Sequence, residues 1–155
     1  MILYNLIKTI HILSSTILFG TGIGIAFFMF RSWFAGNIHE KLYAARSTVL
    51  ADYLFTLPAV IIQPLSGFAL IYLTGFDYKA YWLVATYVVY IIAGLCWLPV
   101  VWIQIQLKKM CIEARETGNE LPERYNKLFT LWFILGWPAF MGLIFVFYLM
   151  VAKPV

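Results

Sequence analysis

Residues 80–107 read AYWLVATYVVYIIAGLCWLPVVWIQIQL, a run of 28 amino acids without a formal charge between Lys79 and Lys108. An α-helix rises 1.5 Å per residue, so about 20 residues cross the roughly 30 Å apolar core of a bilayer. The run exceeds that length with several residues to spare. It is therefore predicted to be a membrane-spanning helix.

Three further uncharged runs, of 22, 24 and 25 residues, occupy positions 9–30, 53–76 and 128–152. None of them shows the apolar–polar alternation of an outer-membrane barrel, so strands are excluded. Backbone groups in hydrocarbon must then be paired within each helix. The sequence predicts an all-α fold, an integral membrane four-helix up-down bundle. We expect a single transmembrane domain over residues 1–155, with spans at about 5–31, 50–74, 80–107 and 128–152.

The composition excludes most soluble classes of protein. Hydrophobic residues make up 63% of the chain and charged residues 12%, whereas soluble domains have about 25% charged residues. The mean hydropathy is +0.87. Cys96 and Cys111 show no metal-ligand spacing, and no segment resembles a nucleotide-binding loop. The expected partner is the lipid bilayer, and no nucleic-acid partner is expected.

The basic residues are distributed unevenly between the two sides of the predicted bundle. Eight Lys and Arg residues lie in the loops after the first and third spans, and three lie on the opposite side. Short loops rich in Lys and Arg stay in the cytoplasm. Both termini are therefore predicted to lie outside the cytoplasm.

His11 is the candidate cofactor ligand. Helical spacing places Lys8, His11 and Ser15 on one face of the first span, which is expected to meet other helices because a polar stripe facing lipid is costly. An imidazole there could ligate haem iron or another metal ion, or relay protons. The alternative is a histidine that only hydrogen-bonds to a neighbouring helix. His39 lies in the loop on the opposite side, so two histidines of one chain cannot hold one haem.

Two residues of other spans are expected near the level of His11. Met150 lies near the end of the fourth span and Thr86 near the start of the third. Methionine opposite histidine is a known axial pair for haem, so Met150 is a candidate second ligand, the alternative being a packing or lipid-facing methionine. Gly20 and Gly24 have the small-xxx-small spacing that allows close helix packing. They favour packing within the chain or a homodimer through the first span.

Other polar residues receive structural predictions. Asp52 is predicted to cap the N-terminus of the second span, where a carboxylate favours the helix dipole. Gln104 is predicted to lie at the membrane interface, and a short interfacial helix is predicted within residues 35–48. Gln63, mid-span beside Pro64, needs hydrogen-bond partners for its amide.

Four strings of the sequence resemble a family of small bacterial predicted integral membrane proteins of unknown function. The resemblance covers nearly the whole chain and implies an inner-membrane protein, without implying an activity. The strings are KTIHIL at 8–13, DYLFTLP at 52–58, QPLSG at 63–67 and GWPAF at 136–140.

The context of His11 is also distantly similar to that of a histidine in the haem-binding protoporphyrinogen oxidases of bacterial membranes. That family carries an essential lysine after a Trp-Leu pair, whereas here Trp82-Leu83 is followed by Val84-Ala85-Thr86. The departure argues against porphyrinogen oxidation and leaves haem binding open. The resemblance implies haem b held by His11.

Together these features favour a b-type haem-binding, redox-linked inner-membrane protein with His11 as axial ligand. The residues expected to line its cofactor site are Lys8, His11, Ser15, Thr86 and Met150. Its partner would be a redox protein or a quinone. The alternative is a non-enzymatic bundle that acts as an accessory subunit or as a carrier of a small solute or metal ion.

Overall fold

The computed structural model describes residues 1–154, and within them every regular element is helical. The four helical segments long and apolar enough to cross a membrane are Ile2–Trp33, Ile38–Thr74, Tyr81–Thr117 and Glu123–Ala152. This confirms the predicted all-α fold with four membrane-spanning helices. The elements are α1 (Ile2–Trp33), α2 (Ile38–Ala51), a π-helical turn (Asp52–Thr56), α3 (Leu57–Thr74), α4 (Tyr81–Thr117) and α5 (Glu123–Ala152).

The connections between the helices follow local sequence rules. Asn37 caps α2, because its side-chain oxygen accepts a hydrogen bond of 2.9 Å from the backbone N–H of Glu40. Helices α3 and α4 end at Gly75 and Gly118, whose φ angles of 70° and 72° lie in the left-handed region that favours glycine. The turn after Gly75 is short, so α3 and α4 run antiparallel.

The chain runs without a break from α2 through the π turn into α3. The prediction that Asp52 caps a new helix is therefore wrong, since Asp52 lies inside a continuous helical segment. Pro58 gives a physical reason for the π turn: it lacks an N–H group, and its ring would press on the carbonyl of Leu54 in a regular α-helix. A π turn is one way in which a helix accommodates such a disruption, and here the N–H of Leu57 donates to the carbonyl of Asp52.

The bundle consists of two tightly packed helix pairs, α1 with α3 and α4 with α5. Aromatic side chains make contacts between the pairs. The rings of Phe19 on α1 and Phe140 on α5 stack at 5.2 Å between centroids. The hydroxyl of Tyr90 on α4 donates to the carbonyl of Val60 on α3 at 2.7 Å.

Apolar cores lie at both ends of the bundle. The end that carries α2, called the α2 end below, is filled by α2 side chains packed between α1, α4 and α5. The opposite end, called the terminus end, carries the start of α1 and the end of α5. The α2-end core includes Met29, Leu42, Ala45, Ile103, Leu107, Tyr125, Phe129 and Trp132. The terminus-end core is formed by Ile71, Trp82, Leu83 and Leu149.

Candidate functional site

His11 lies at the contact between α1 and α3, on the terminus-end side of the bundle. Its Nδ1 is 2.8 Å from the hydroxyl of Ser66 on α3. A Cβ atom added to Gly67 would lie 3.4 Å from the His11 ring carbon Cε1, so the imidazole rests directly against the α3 backbone. The prediction that the face of α1 with His11 meets another helix is therefore confirmed for His11.

Gln63 ties the same two helices together beside the ring. Its Nε2 donates to the backbone carbonyl of His11 and to the hydroxyl of Ser14, both at 2.7 Å. The Ser14 hydroxyl in turn donates to the His11 carbonyl at 3.1 Å. The amide of Gln63 therefore finds its predicted hydrogen-bond partners on the neighbouring helix α1.

The hydrogen bonds of Ser66 assign the protonation of the His11 ring. The Ser66 hydroxyl has one proton, which it donates to the carbonyl of Ile62 at 2.6 Å. Its oxygen is then an acceptor toward His11, so Nδ1 carries the proton and Nε2 carries the lone pair. This is the tautomer in which a histidine ligates a metal through Nε2 while its other nitrogen donates to a neighbour.

The other predicted site residues do not join this network. The hydroxyl of Ser15 donates to the carbonyl of Ile12, and that of Thr86 to the carbonyl of Trp82, each within its own helix. Lys8 is exposed, and its ammonium lies 5.6 Å from the ring centroid of Tyr4.

Met150 is half-buried and packs against the terminus-end core. Its pairing with His11 stays a prediction. Within residues 1–154, no group of three or more His, Cys, Asp and Glu side chains is placed to hold a metal ion.

A larger feature lies between the two helix pairs. A partly open cavity of about 400 Å³ is bounded by α1, the π turn, α3, α4 and α5. Its walls are mostly apolar and aromatic, with Gly22, Gly94 and Gly136 among the residues that make room for it. We call it the interhelical cavity. The histidine network lies outside its walls.

Four polar side chains of the cavity wall have buried atoms that make no hydrogen bond within the described residues. They are both carboxylate oxygens of Asp52, Oγ1 of Thr56, Oε1 of Gln104 and Nε1 of Trp132. Asp52 and Gln104 are each only 2% exposed. Thr56, Gln104 and Trp97 are the polar neighbours of the Asp52 carboxylate and its nearest hydrogen-bond donors, although none of them makes a short, well-aligned hydrogen bond to it.

Asp52 was predicted to be a helix cap and Gln104 an interfacial residue, so their place in the cavity wall was missed; both are buried in the bundle. A usable signal was present in the sequence. Asp52 precedes a 24-residue uncharged run and lies four residues before Thr56, so both share one helix face. An ionisable residue within a membrane segment is itself a pointer to a functional site.

The family described as "Predicted integral membrane protein (DUF2269)" matches residues 5–154. The chain belongs to this family. Membership in DUF2269 confirms the predicted small membrane family and agrees with the four candidate spans. No curated protein and no solved structure matches the chain. The similarity to haem-binding oxidases is therefore not shown, and what this DUF2269 member does has to be argued from its own residues.

Proposed function

We propose that this integral membrane protein binds a small membrane-soluble molecule in the interhelical cavity, as a carrier or an accessory subunit. The observation that supports the proposal is an apolar, aromatic-walled cavity of about 400 Å³ between the helix pairs, with the buried polar residues Asp52 and Gln104 in its wall. Ligand sites are typically apolar cavities of about 300–1,000 Å³ with a few convergent polar groups.

The energetics favour an occupant. Burying apolar surface is favourable by roughly 25 cal/mol per Å². An apolar ligand that fills the space between the helix pairs gains this free energy from the walls of the cavity. Aromatic walls add contact area, since rings bury a large surface and prefer stacked or edge-on neighbours.

Glycine substitutions test this proposal. Gly22 lines the cavity and Gly20 does not, and an added Cβ meets no heavy atom within 4 Å at either position. Gly22→Leu therefore occupies part of the cavity without a backbone clash, and Gly20→Leu is the matched control one half-turn away. Triphenylmethane, titrated calorimetrically in detergent micelles, should bind saturably to the wild type and to Gly20→Leu, with binding lost in Gly22→Leu. Unchanged binding in Gly22→Leu, or no saturable binding to the wild type, would refute the proposal.

Haem binding by His11 is the second candidate, and the tautomer of His11 supports it. With Nδ1–H bonded to Ser66, Nε2 offers the lone pair that an axial ligand needs. A haem would supply one-electron chemistry toward a redox protein or a quinone. The chain would supply a single oriented imidazole, with Met150 as the candidate for the opposite position.

An absorbance spectrum and a pyridine haemochrome assay on protein produced with added haem precursor test this candidate. We expect a Soret band that disappears in His11→Ala and persists in His39→Ala. A wild-type protein without the band would remove haem b from consideration. The homodimer through α1 likewise stays a proposal. It is tested by the mass of the purified protein after the mass of bound detergent is subtracted.

We further propose that the protein lies in the bacterial inner membrane with both termini in the periplasm. The asymmetry of eight basic residues against three supports this orientation. In the structure all eight lie at the α2 end or in the α4–α5 region next to it, and Lys8, Lys79 and Lys153 lie at the terminus end.

A further inference from the structure

We propose that the interhelical cavity selects a lipophilic organic cation, whose positive charge pairs with the carboxylate of Asp52. This inference rests on the proposed binding function and names the class of molecule bound. It depends on three features of the cavity: an unpaired carboxylate, aromatic walls, and the absence of basic residues from the wall.

The Asp52 carboxylate lacks any partner of opposite charge among the described residues. The ion pairs found in the described part of the chain join Arg115 to Glu116 and Lys127 to Glu123. Both pairs lie on the exposed surface at the α2 end. None of the residues that line the cavity is Lys, Arg or His. A buried carboxylate without a cationic partner is unfavourable, so a positively charged occupant of the cavity would stabilise the ionised form of Asp52.

The other polar and aromatic groups of the wall also favour a positively charged occupant. Asp52 and Gln104 contribute acceptor oxygens to the wall that lack short hydrogen bonds, and the indole N–H of Trp97 neighbours the Asp52 carboxylate. Trp97, Trp132 and Trp137 all contribute to the wall, and tryptophan is the best of the aromatic rings for binding a cation over its face. The wall therefore combines an acidic side chain with the π-faces of several tryptophans.

A metal ion does not suit this cavity. Ca²⁺ and Mg²⁺ require about six or more oxygen ligands in a compact shell, whereas here one carboxylate faces a mostly apolar wall. Groups of several acidic, histidine or cysteine ligands are also missing from residues 1–154. A large organic cation, which is weakly hydrated and carries its own apolar surface, matches both the charge and the walls.

Three probes of similar shape separate charge from size. Tetraphenylphosphonium is a cation, tetraphenylborate is an anion and triphenylmethane is neutral. Calorimetric titration of the full chain in neutral detergent should rank the affinities in the order cation, neutral, anion. Asp52→Asn should weaken tetraphenylphosphonium binding on the order of 30-fold, equivalent to about 2 kcal/mol, and leave triphenylmethane unaffected.

Two further variants control the experiment. Asp77→Asn makes the same chemical change at the exposed turn after α3 and should leave all three affinities unchanged. The double variant Asp52→Asn/Gln104→Glu moves the carboxylate to a neighbouring position of the same wall and should restore much of the binding of the cation. A purely structural role of Asp52 would not produce this rescue.

The outcomes distinguish the two proposals. If none of the probes binds saturably, the binding function itself fails. If triphenylmethane binds and is lost in Gly22→Leu, but the cation binds no better than the anion, the cavity is a site for apolar molecules and the inference about charge is wrong. Unchanged cation affinity in Asp52→Asn would also overturn it.

Discussion

Replacing Gln63 by leucine should destabilise the bundle by about 1–2 kcal/mol, because Gln63 bridges α1 and α3. The substitution removes two hydrogen bonds of 2.7 Å, one to the His11 carbonyl and one to the Ser14 hydroxyl. Interhelical hydrogen bonds in membrane proteins are worth about 0.6 kcal/mol on average. The His11 carbonyl keeps its bond from Ser14 at 3.1 Å, so no full penalty for an orphaned carbonyl is added.

The measurement is reversible unfolding in mixed micelles with increasing sodium dodecyl sulfate, followed by helical circular dichroism. Gln106→Leu on α4 is the matched control, since the described residues give its side chain no hydrogen bond and it is partly exposed. We expect the control to change the free energy of unfolding by less than about 0.5 kcal/mol. Equal effects of the two substitutions would refute the argument that the Gln63 bridge holds the first helix pair together.

Three other predictions concern the protonation of His11, the turn at Gly75 after α3, and the orientation of the protein in the membrane. At neutral pH the ¹⁵N chemical shifts of the His11 ring, assigned with the aid of His39→Gln, should show a protonated Nδ1 and an unprotonated Nε2; the reverse pattern would contradict the assignment made from Ser66. Gly75→Ala should lower the free energy of unfolding by about 1 kcal/mol, since φ is 70° there, whereas Gly36→Ala, where an added Cβ meets no heavy atom within 4 Å, should not. A C-terminal alkaline phosphatase fusion should be active and a C-terminal green fluorescent protein fusion dark in a Sec-exporting bacterium, and the opposite result would place the termini in the cytoplasm.

The fold could be predicted from the sequence because the bilayer imposes a simple length rule. Uncharged runs of 22 residues or more separated by charged loops leave only helices, and all four appear. The length rule does not predict where a helix continues beyond the membrane. For this reason the continuous path from α2 through Asp52 into α3 was not predicted.

The candidate site was predicted in part. A histidine in a membrane segment is conspicuous, and His11 does meet a neighbouring helix through Ser66. Its partners Ser66 and Gln63 lie about fifty positions away, and no periodicity within one helix identifies such a pairing. The interhelical cavity depends on how two helix pairs separate, which is set by packing across the whole bundle. Asp52 and Gln104 gain their significance only from that separation.

Native mass spectrometry of the protein released from its own membrane tests binding in the interhelical cavity most directly. We expect each wild-type chain to retain one small molecule, to carry the same mass excess in Gly20→Leu, and to lose it in Gly22→Leu. Fragmentation should release a species with a fixed positive charge or an amine on an apolar skeleton. A wild-type chain that appears at its bare mass, or with the same bound molecules in both glycine variants, would contradict the proposed role of the cavity.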